Sequence, residues 1–369
     1  MDMCILDAQA LFEAGVCYLG EEYRYFRVSG EKQQLNIIKD WISPFLFSRR
    51  GNDCLFFYER PSAFLDLLMQ PAINDEIFSF KKKLRLYLEI NTDSMVLPAA
   101  GTLSFEKPLI MGIINATEDS FYSESRVIDE EAFLSKVSDM ISVGADIIDI
   151  GGESSRPGAL PVSPEEEQNR IVPLIRKLRQ NFNIPISVDT YRRSTAEAAY
   201  KAGADIINDI SGLQFDESMA EFAAYSGMPV VLMHIKGNPE TMQDNPVYSD
   251  VLTEVKDYFS KRIRYALSKG IKREKLILDP GIGFGKRLED NLMLLKHLDE
   301  FKIFRLPLLV GTSRKSFIGE VLKQKNPKDR LSGTMGTTAL GVQKGAHIFR
   351  VHDVKENKEI ADLVFNIIK

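Results

Sequence analysis

Cysteine is scarce in this chain and confined to one end: Cys4, Cys17 and Cys54 are the only three in 369 residues. An odd count, with none in the larger remainder, excludes a disulfide framework for most of the molecule and points to a reducing, cytoplasmic setting. Positive charge is not in excess either. Forty-seven Lys and Arg stand against 52 Asp and Glu, a net charge of −5, so nucleic acid is not expected as a partner. No apolar run approaches the roughly eighteen residues of a membrane span. Asp2 and Asp7 occupy the stretch where a signal peptide would carry lysine or arginine, so no membrane partner is expected. No His, Cys and carboxylate set has catalytic-zinc spacing, and the Gly-x-Ser-x-Gly nucleophile turn is absent. What is present is ordinary globular material, 44% hydrophobic and 27% charged. The length exceeds the about 250 residues of one barrel domain and falls short of two.

The first hundred residues differ in texture from the rest. They are rich in aromatics and hold the only tryptophan, Trp41. Tyr23-Arg24-Tyr25-Phe26-Arg27-Val28 and Leu84-Arg85-Leu86-Tyr87-Leu88-Glu89-Ile90 alternate in the manner of half-buried strands. Pro61–Met69 opens with a proline suited to the first turn of a helix. Residues 1–100 are therefore expected to form a small folded α+β unit, without a catalytic motif and of unassigned role. Its cysteines lack metal-ligand spacing and read as small buried residues. Segment 92–107, with Pro98-Ala99-Ala100-Gly101, reads as a connector.

From Pro108 onward, short apolar runs alternate with longer amphipathic stretches. The runs are Leu109–Ile114, Asp146–Ile150, Pro185–Val188, Asp205–Ile207, Pro229–Met233, Lys275–Leu278, Pro307–Val310 and His347–Val351. Helical patterns lie between them, among them Glu130–Val143, Glu165–Gln180, Arg193–Ala202 and Val251–Lys269. Eight buried strands alternating with helices predict a (β/α)8 barrel over residues 101–369, an α/β fold with an additional small N-terminal α+β domain. A doubly wound sheet would not usually need the eighth strand.

Barrel chemistry gathers at the C-terminal ends of the strands. The residues following the runs are Asn115, Gly151-Gly152-Glu153, Asp189, Asn208-Asp209, His234, Asp279, Gly311-Thr312-Ser313-Arg314-Lys315 and Arg350-Val351-His352. Asp189, Asn208 and Asp279 suit the edge of a flat heterocycle bearing several N–H groups. A helix N-cap is the plain alternative for Asp189. Ser313-Arg314-Lys315 with Arg350 and His352 follows the strands where barrels often bind phosphate. Arg350 sits among Ile348, Phe349 and Val351, where an arginine needs an anionic partner. Two glycine-rich stretches, Gly151–Gly158 and Asp279–Lys286, read as backbone passing close to a ligand, with Phe284 or Lys286 closing over it. Met233 reads as pocket lining and His234 as a satisfied strand-end histidine. These features lead as far as a transferase or lyase acting on a flat, phosphorylated substrate.

At these residues the sequence resembles the dihydropteroate synthase family. The resemblance runs from about Pro108 to the C-terminus, through Gly144–Gly158, Ile186–Tyr191, Ile206–Gly212, Val231–His234, Asp279–Lys286, Gly311–Ser316 and Arg350–Val354. It implies a barrel that condenses 6-hydroxymethyl-7,8-dihydropterin pyrophosphate with p-aminobenzoate, releasing pyrophosphate, by a path in which the bond to pyrophosphate breaks first. It implies that Asp189, Asn208, Asp279 and Lys315 hold the pterin, with Met233 and Phe284 lining its pocket. Asn115, Arg350 and His352 would bind pyrophosphate, with Asn115 also ligating Mg2+. Lys315, Arg350, His352 and Asp279 would carry the catalysis. Asp119, Phe121, Ser155, Arg156 and Pro157 would form the p-aminobenzoate loops, and the family is commonly homodimeric.

The departure lies in the first loop. The family pattern Thr-Pro-Asp-Ser-Phe-Ser-Asp-Gly-Gly is replaced by Thr117-Glu118-Asp119-Ser120-Phe121-Tyr122-Ser123-Glu124-Ser125. Without the two glycines this loop is expected to be less pliable. Two alternatives go with the resemblance: a folate-binding methyltransferase-type barrel, and a non-catalytic pterin-binding paralogue. The matches around Lys315 and Arg350 speak against the first, since a methyltransferase has no pyrophosphate to hold.

Overall fold

A computed structural model describes residues 2–5, 24–29, 31–42, 47–50, 54–59, 74–78, 80, 93–116, 130–153 and 162–369. The chain divides into two compact units, Met1–Ile90 with Glu300–Arg305, and Asn91–Asp299 with Leu306–Lys369.

The first unit contains a four-stranded antiparallel sheet. Its strands are β1 (Asp2–Ile5), β2 (Arg24–Ser29), β3 (Phe47–Arg50) and β4 (Cys54–Glu59), in the order β1-β2-β4-β3. Helix α1 (Lys32–Ile42) buries Leu35, Ile38 and Ile42, the one-sided spacing of an amphipathic helix. Trp41 packs edge-on against Phe80. Strand β2 covers the alternation expected around Tyr23–Val28, whereas Pro61–Met69 and Leu84–Ile90 lie outside the described residues.

The second unit opens differently from the expected connector. Residues 92–107 contain a hairpin of β5 (Ser94–Val96) and β6 (Thr102–Ser104), in which Leu97 donates its N–H to the Gly101 carbonyl. Ala99 and Ala100 each donate an N–H to Oδ1 of the buried Asp205, at 2.9 Å. Oδ2 of the same side chain accepts from the Ile186 N–H and pairs with Arg179. Asp205 precedes its strand, so this knot ties the hairpin to the N-terminal end of the barrel.

The barrel strands are β7 (Leu109–Asn115), β8 (Ile147–Gly151), β9 (Ile186–Asp189), β10 (Ile206–Asp209), β11 (Val230–Met233), β12 (Leu276–Asp279), β13 (Leu309–Val310) and β14 (Ile348–Val351). All pair in parallel in the order β12-β11-β10-β9-β8-β7-β14-β13, and a bridge between Leu278 and Leu308 joins the ends. Each strand is covered on both faces, which is why its sequence is a continuous apolar run rather than an alternation. Between and after them lie α2 (Glu130–Ser142), α3 (Pro164–Asn181), α4 (Arg193–Ala202), α5 (Met219–Ser226), α6 (Val251–Ser268), α7 (Leu288–Lys296), α8 (Ser316–Leu322), α9 (Leu331–Lys344) and α10 (Val354–Ile368). Helix α3 begins where Ser163 accepts the Glu166 N–H, with Pro164 at its first turn and three glutamates favouring its positive end. This is the predicted (β/α)8 barrel. Among the described residues no helix is long and apolar enough to cross a membrane.

Candidate active site

Parallel pairing sets the strand exits at one end of the barrel, and with them Asn115, Asp189, Asn208, Met233, Asp279 and Arg350. At the centre stands Arg350. Its Nε donates to Asp149 Oδ2 at 2.6 Å and one of its terminal nitrogens to Asp189 Oδ2 at 2.7 Å. Asn208 Nδ2 lies 3.3 Å from Asp149 Oδ1, so four side chains from β8, β9, β10 and β14 form one polar cluster. The anionic partner expected for Arg350 is thus a pair of carboxylates. The carboxylate of Asp189 turns inward to Arg350, and α4 starts at Arg192 without a side-chain cap, so the N-cap reading of Asp189 falls away.

Asp149 was not among the candidates read from sequence. It lies inside an apolar run, fully buried, with Ile148 and Ile150 on either side. The signal was available: a charged residue in the middle of a buried strand needs a partner as much as Arg350 does.

The loop after β12 forms a second wall. Asp279 Oδ1 accepts the Gly281 N–H at 2.7 Å. Gly281 takes φ +66°, and a Cβ there would fall 1.9 Å from the His234 carbonyl oxygen, so only glycine lets the loop lie against the exit of β11. Gly283 similarly leaves room for the Lys315 side chain, which an added Cβ would meet at 2.9 Å. Lys315 donates to the Ile282 carbonyl and sits 4.4 Å from the centre of the Phe284 ring. Phe284 packs with Met233, Ile210, Ile235 and Met242. Lys286 does not close over a ligand. It is buried and turned back beneath the loop, 2.9 Å from both His234 Nδ1 and the Gly281 oxygen. Burial pulls Lys286 well below the ordinary lysine range, and the enclosed backbone carbonyls offer its amine better partners than an apolar surround would leave it.

The loops after β13 and β14 are tied to one another. Ser313 Oγ lies 2.9 Å from His352 Nδ1 and accepts the His352 N–H at 3.1 Å. Arg314 grips Asp353 with two nitrogens, so within the basic Ser313-Arg314-Lys315 run it is Lys315 that faces the site while Arg314 braces the loops. Asn115 is half-buried at the end of β7. Asp119, Phe121, Ser155, Arg156 and Pro157 lie outside the described residues, as does the altered first loop.

Burial governs the electrostatics. It pushes the Asp189 carboxyl up to about 7 against the opposing charge of Arg350, with Asp149 adding like-charge repulsion. It lowers the Lys315 ammonium to about 8, with Asp279 opposing. Asp279 is raised by burial and held back by Lys315. Burial also works against the Arg350 charge, but Asp149 and Asp189 outweigh it and keep the guanidinium firmly protonated. The end of the barrel therefore offers hydrogen-bond acceptors, cations and an apolar wall to a flat polar molecule carrying negative charge.

Comparisons with known proteins agree with this geometry. The model of a family described as "Pterin binding enzyme" matches residues 111–352. A dihydropteroate synthase of Escherichia coli (strain K12) is 48% identical over 274 residues, spanning 73% of this chain and 95% of its own length. A crystal structure of the Yersinia pestis dihydropteroate synthase with a sulfonamide drug complex matches with a TM-score of 0.68 and 43% identity, covering 72% of this chain and 96% of that one. The Xanthomonas albilineans dihydropteroate synthase with 4-aminobenzoic acid matches with a TM-score of 0.70 and 38% identity, covering 75% and 99%.

Proposed function

This chain belongs to the dihydropteroate synthase family of pterin-binding enzymes, transferases of folate biosynthesis, and from that premise we propose how its own residues carry the reaction. The substrates are 6-hydroxymethyl-7,8-dihydropterin pyrophosphate and p-aminobenzoate. The aryl amine nitrogen forms a bond to the pterin methylene carbon and loses a proton. The carbon–oxygen bond to pyrophosphate breaks, and its electron pair leaves with the pyrophosphate.

Asp189, Asn208 and Asp279 supply the acceptors and the amide for the ring edge, with Lys315 as the cationic donor beside them. Met233 and Phe284 supply the apolar wall. Arg350 and His352 face the departing pyrophosphate, where fixed cations and donors stabilise the charge that develops as the bond breaks. Asp189 and Asp279 hold the ring while it becomes positive. The p-aminobenzoate site falls to Asp119, Phe121, Ser155, Arg156 and Pro157. The Asn115 carboxamide is a hard oxygen donor at the same end of the barrel. One such side chain fits Mg2+, which takes one or two protein oxygens and completes its shell with water and substrate phosphates. Bound there, Mg2+ would neutralise charge on the pyrophosphate.

The observation that carries this reading is the convergence of Asp189, Asn208, Asp279, Lys315 and Arg350 at one barrel end. The test is to incubate the chain with the pterin pyrophosphate, p-aminobenzoate and Mg2+, and to measure dihydropteroate and pyrophosphate with and without the amine. Amine-dependent formation of both is expected. Pyrophosphate release that needs no amine and yields no dihydropteroate would overturn the reading in favour of a non-catalytic paralogue. A cytoplasmic homodimer belongs to the same proposal. The dimer rests on the resemblance to the family, and sedimentation equilibrium tests it.

A further inference from the structure

Lys286 is a buried lysine, 3% exposed, that the reaction described above does not use. Its Nζ lies 2.9 Å from the Gly281 carbonyl oxygen, 3.0 Å from that of Phe284, 3.3 Å from that of His234, and 2.9 Å from His234 Nδ1. Burial pulls Lys286 well below the ordinary lysine range, with Asp279 opposing. In its ammonium form its three hydrogens are shared among these four acceptors, and His234 is then neutral, with its Nδ1 lone pair turned towards the amine. Burial, followed by the charge of Lys286, keeps the imidazole from protonating. Enclosing an amine is expensive, and a methionine or leucine of similar size would fill the same space at less cost. A compensating gain is to be sought in what the amine holds.

It holds two residues that shape the pterin pocket. Gly281 is gripped from both sides: its carbonyl oxygen by Lys286, and its N–H by Asp279 Oδ1 at 2.7 Å. Phe284 is gripped by its carbonyl oxygen, and its ring lies beneath Lys315. Asn291 completes the brace, accepting the Gly283 N–H at 2.6 Å and donating to the Lys286 carbonyl at 3.4 Å. We infer that Lys286 is a positioning residue, an internal hydrogen-bond donor that locks the β12–α7 loop and thereby sets Asp279 and Phe284 against the pterin ring.

The inference rests on the pterin site proposed above and deepens it. It predicts an asymmetry between the two substrates, because the loop shapes the pterin side. Lys286→Met removes every donor while keeping length and volume. Lys286→Gln keeps two donors. Lys286→Ala opens a cradle of three carbonyl oxygens that a free ammonium or methylammonium ion can enter. For each variant, thermal melting reports folding, calorimetry reports pterin pyrophosphate affinity, and steady-state kinetics at saturating pterin reports the p-aminobenzoate KM.

The expected result for folded Lys286→Met is a loss of pterin affinity or kcat of about ten- to a hundredfold, the scale of a displacement near 1 Å at a reacting centre. The p-aminobenzoate KM should stay near wild type, and Lys286→Gln should fall between the two. Added methylammonium should restore Lys286→Ala, where sodium chloride at the same ionic strength should not. Wild-type pterin affinity together with wild-type kcat in Lys286→Met, or equal weakening of both substrates, would overturn the assignment. So would failure of all three variants to fold, which would mark the lysine as purely structural. A wild-type chain that binds pterin but makes no dihydropteroate overturns the reaction instead, and the calorimetry still decides the role of Lys286.

Discussion

Arg350 stands between two buried carboxylates, and that arrangement decides what its removal would do. Asp149 is fully enclosed and Asp189 nearly so, each within 2.7 Å of the guanidinium. Arg350→Ala leaves both charges facing one another without a cation, a loss of about 3–5 kcal/mol for a broken buried pair. Product formation should be abolished and the melting temperature lowered; wild-type turnover in this variant would remove Arg350 from the mechanism. Arg350→Lys keeps the charge but cannot bridge two carboxylates with one planar fork, so it should recover stability more than activity. The same cluster sets a pH dependence. Burial holds Asp189 at about 7 and Lys315 at about 8. Asp189 becomes a ring acceptor as pH rises through the first value, and Lys315 ceases to be a cation as pH rises through the second. A plot of kcat/KM against pH should be a bell with its maximum between them, and Asp189→Asn should erase the acid limb. For stability the raised carboxyl acts in the opposite sense: its contribution is present below the ordinary aspartate range and is lost as pH rises through about 7.

Elements that are buried on both faces were legible, and elements that are short or exposed were not. All eight barrel strands announced themselves, because a strand covered by helices outside and side chains inside has no reason to alternate. The residues just past each run were legible for the same reason, since loss of apolar character marks the mouth of the barrel. Asp149 escaped because it lies one position before the end of its run, inside the strand rather than after it. The hairpin β5–β6 escaped because strands of three residues are too short to show a period, and Gly101 read simply as a break. Lys286 could be located but not oriented, because a glycine-rich loop folds according to the carbonyls it encloses. Elements at the opposite end of the barrel carry stability rather than chemistry. Asp205 there accepts from Ala99, Ala100, Ile186 and Arg179. Asp205→Ala should lower the melting temperature by roughly 6–20 °C, at about 2–4 °C per kcal/mol and about 3–5 kcal/mol for a broken buried pair. Its kcat should be unchanged. A fall in kcat without a fall in melting temperature would show that this end communicates with the site.

At the scale of the whole molecule, the extra chain is woven into the sequence of the barrel. The family match covers residues 111–352, yet Glu300–Arg305, inside that span, belongs to the same compact unit as Met1–Ile90. The segment runs between α7 and β13 and carries Phe301, Ile303 and Phe304, which are 1%, 3% and 5% exposed. Because these three buried side chains fall in the same unit as Met1–Ile90, removal of residues 1–90 is expected to expose them as an apolar patch. A chain cut to residues 91–369 keeps every barrel strand and every described candidate site residue, so simple modularity would leave it soluble and active. The two-part composition of the first unit argues otherwise. The shortened chain should scatter light and bind a hydrophobic dye more strongly than the full chain. Replacing Phe301, Ile303 and Phe304 by serine or threonine within it should restore a monodisperse protein with the barrel's turnover. A shortened chain that is already monodisperse, with dye binding no higher than the full chain, would show that the segment is stable without residues 1–90. That outcome would make the first unit dispensable for the barrel, and the same preparation would measure its contribution to kcat directly.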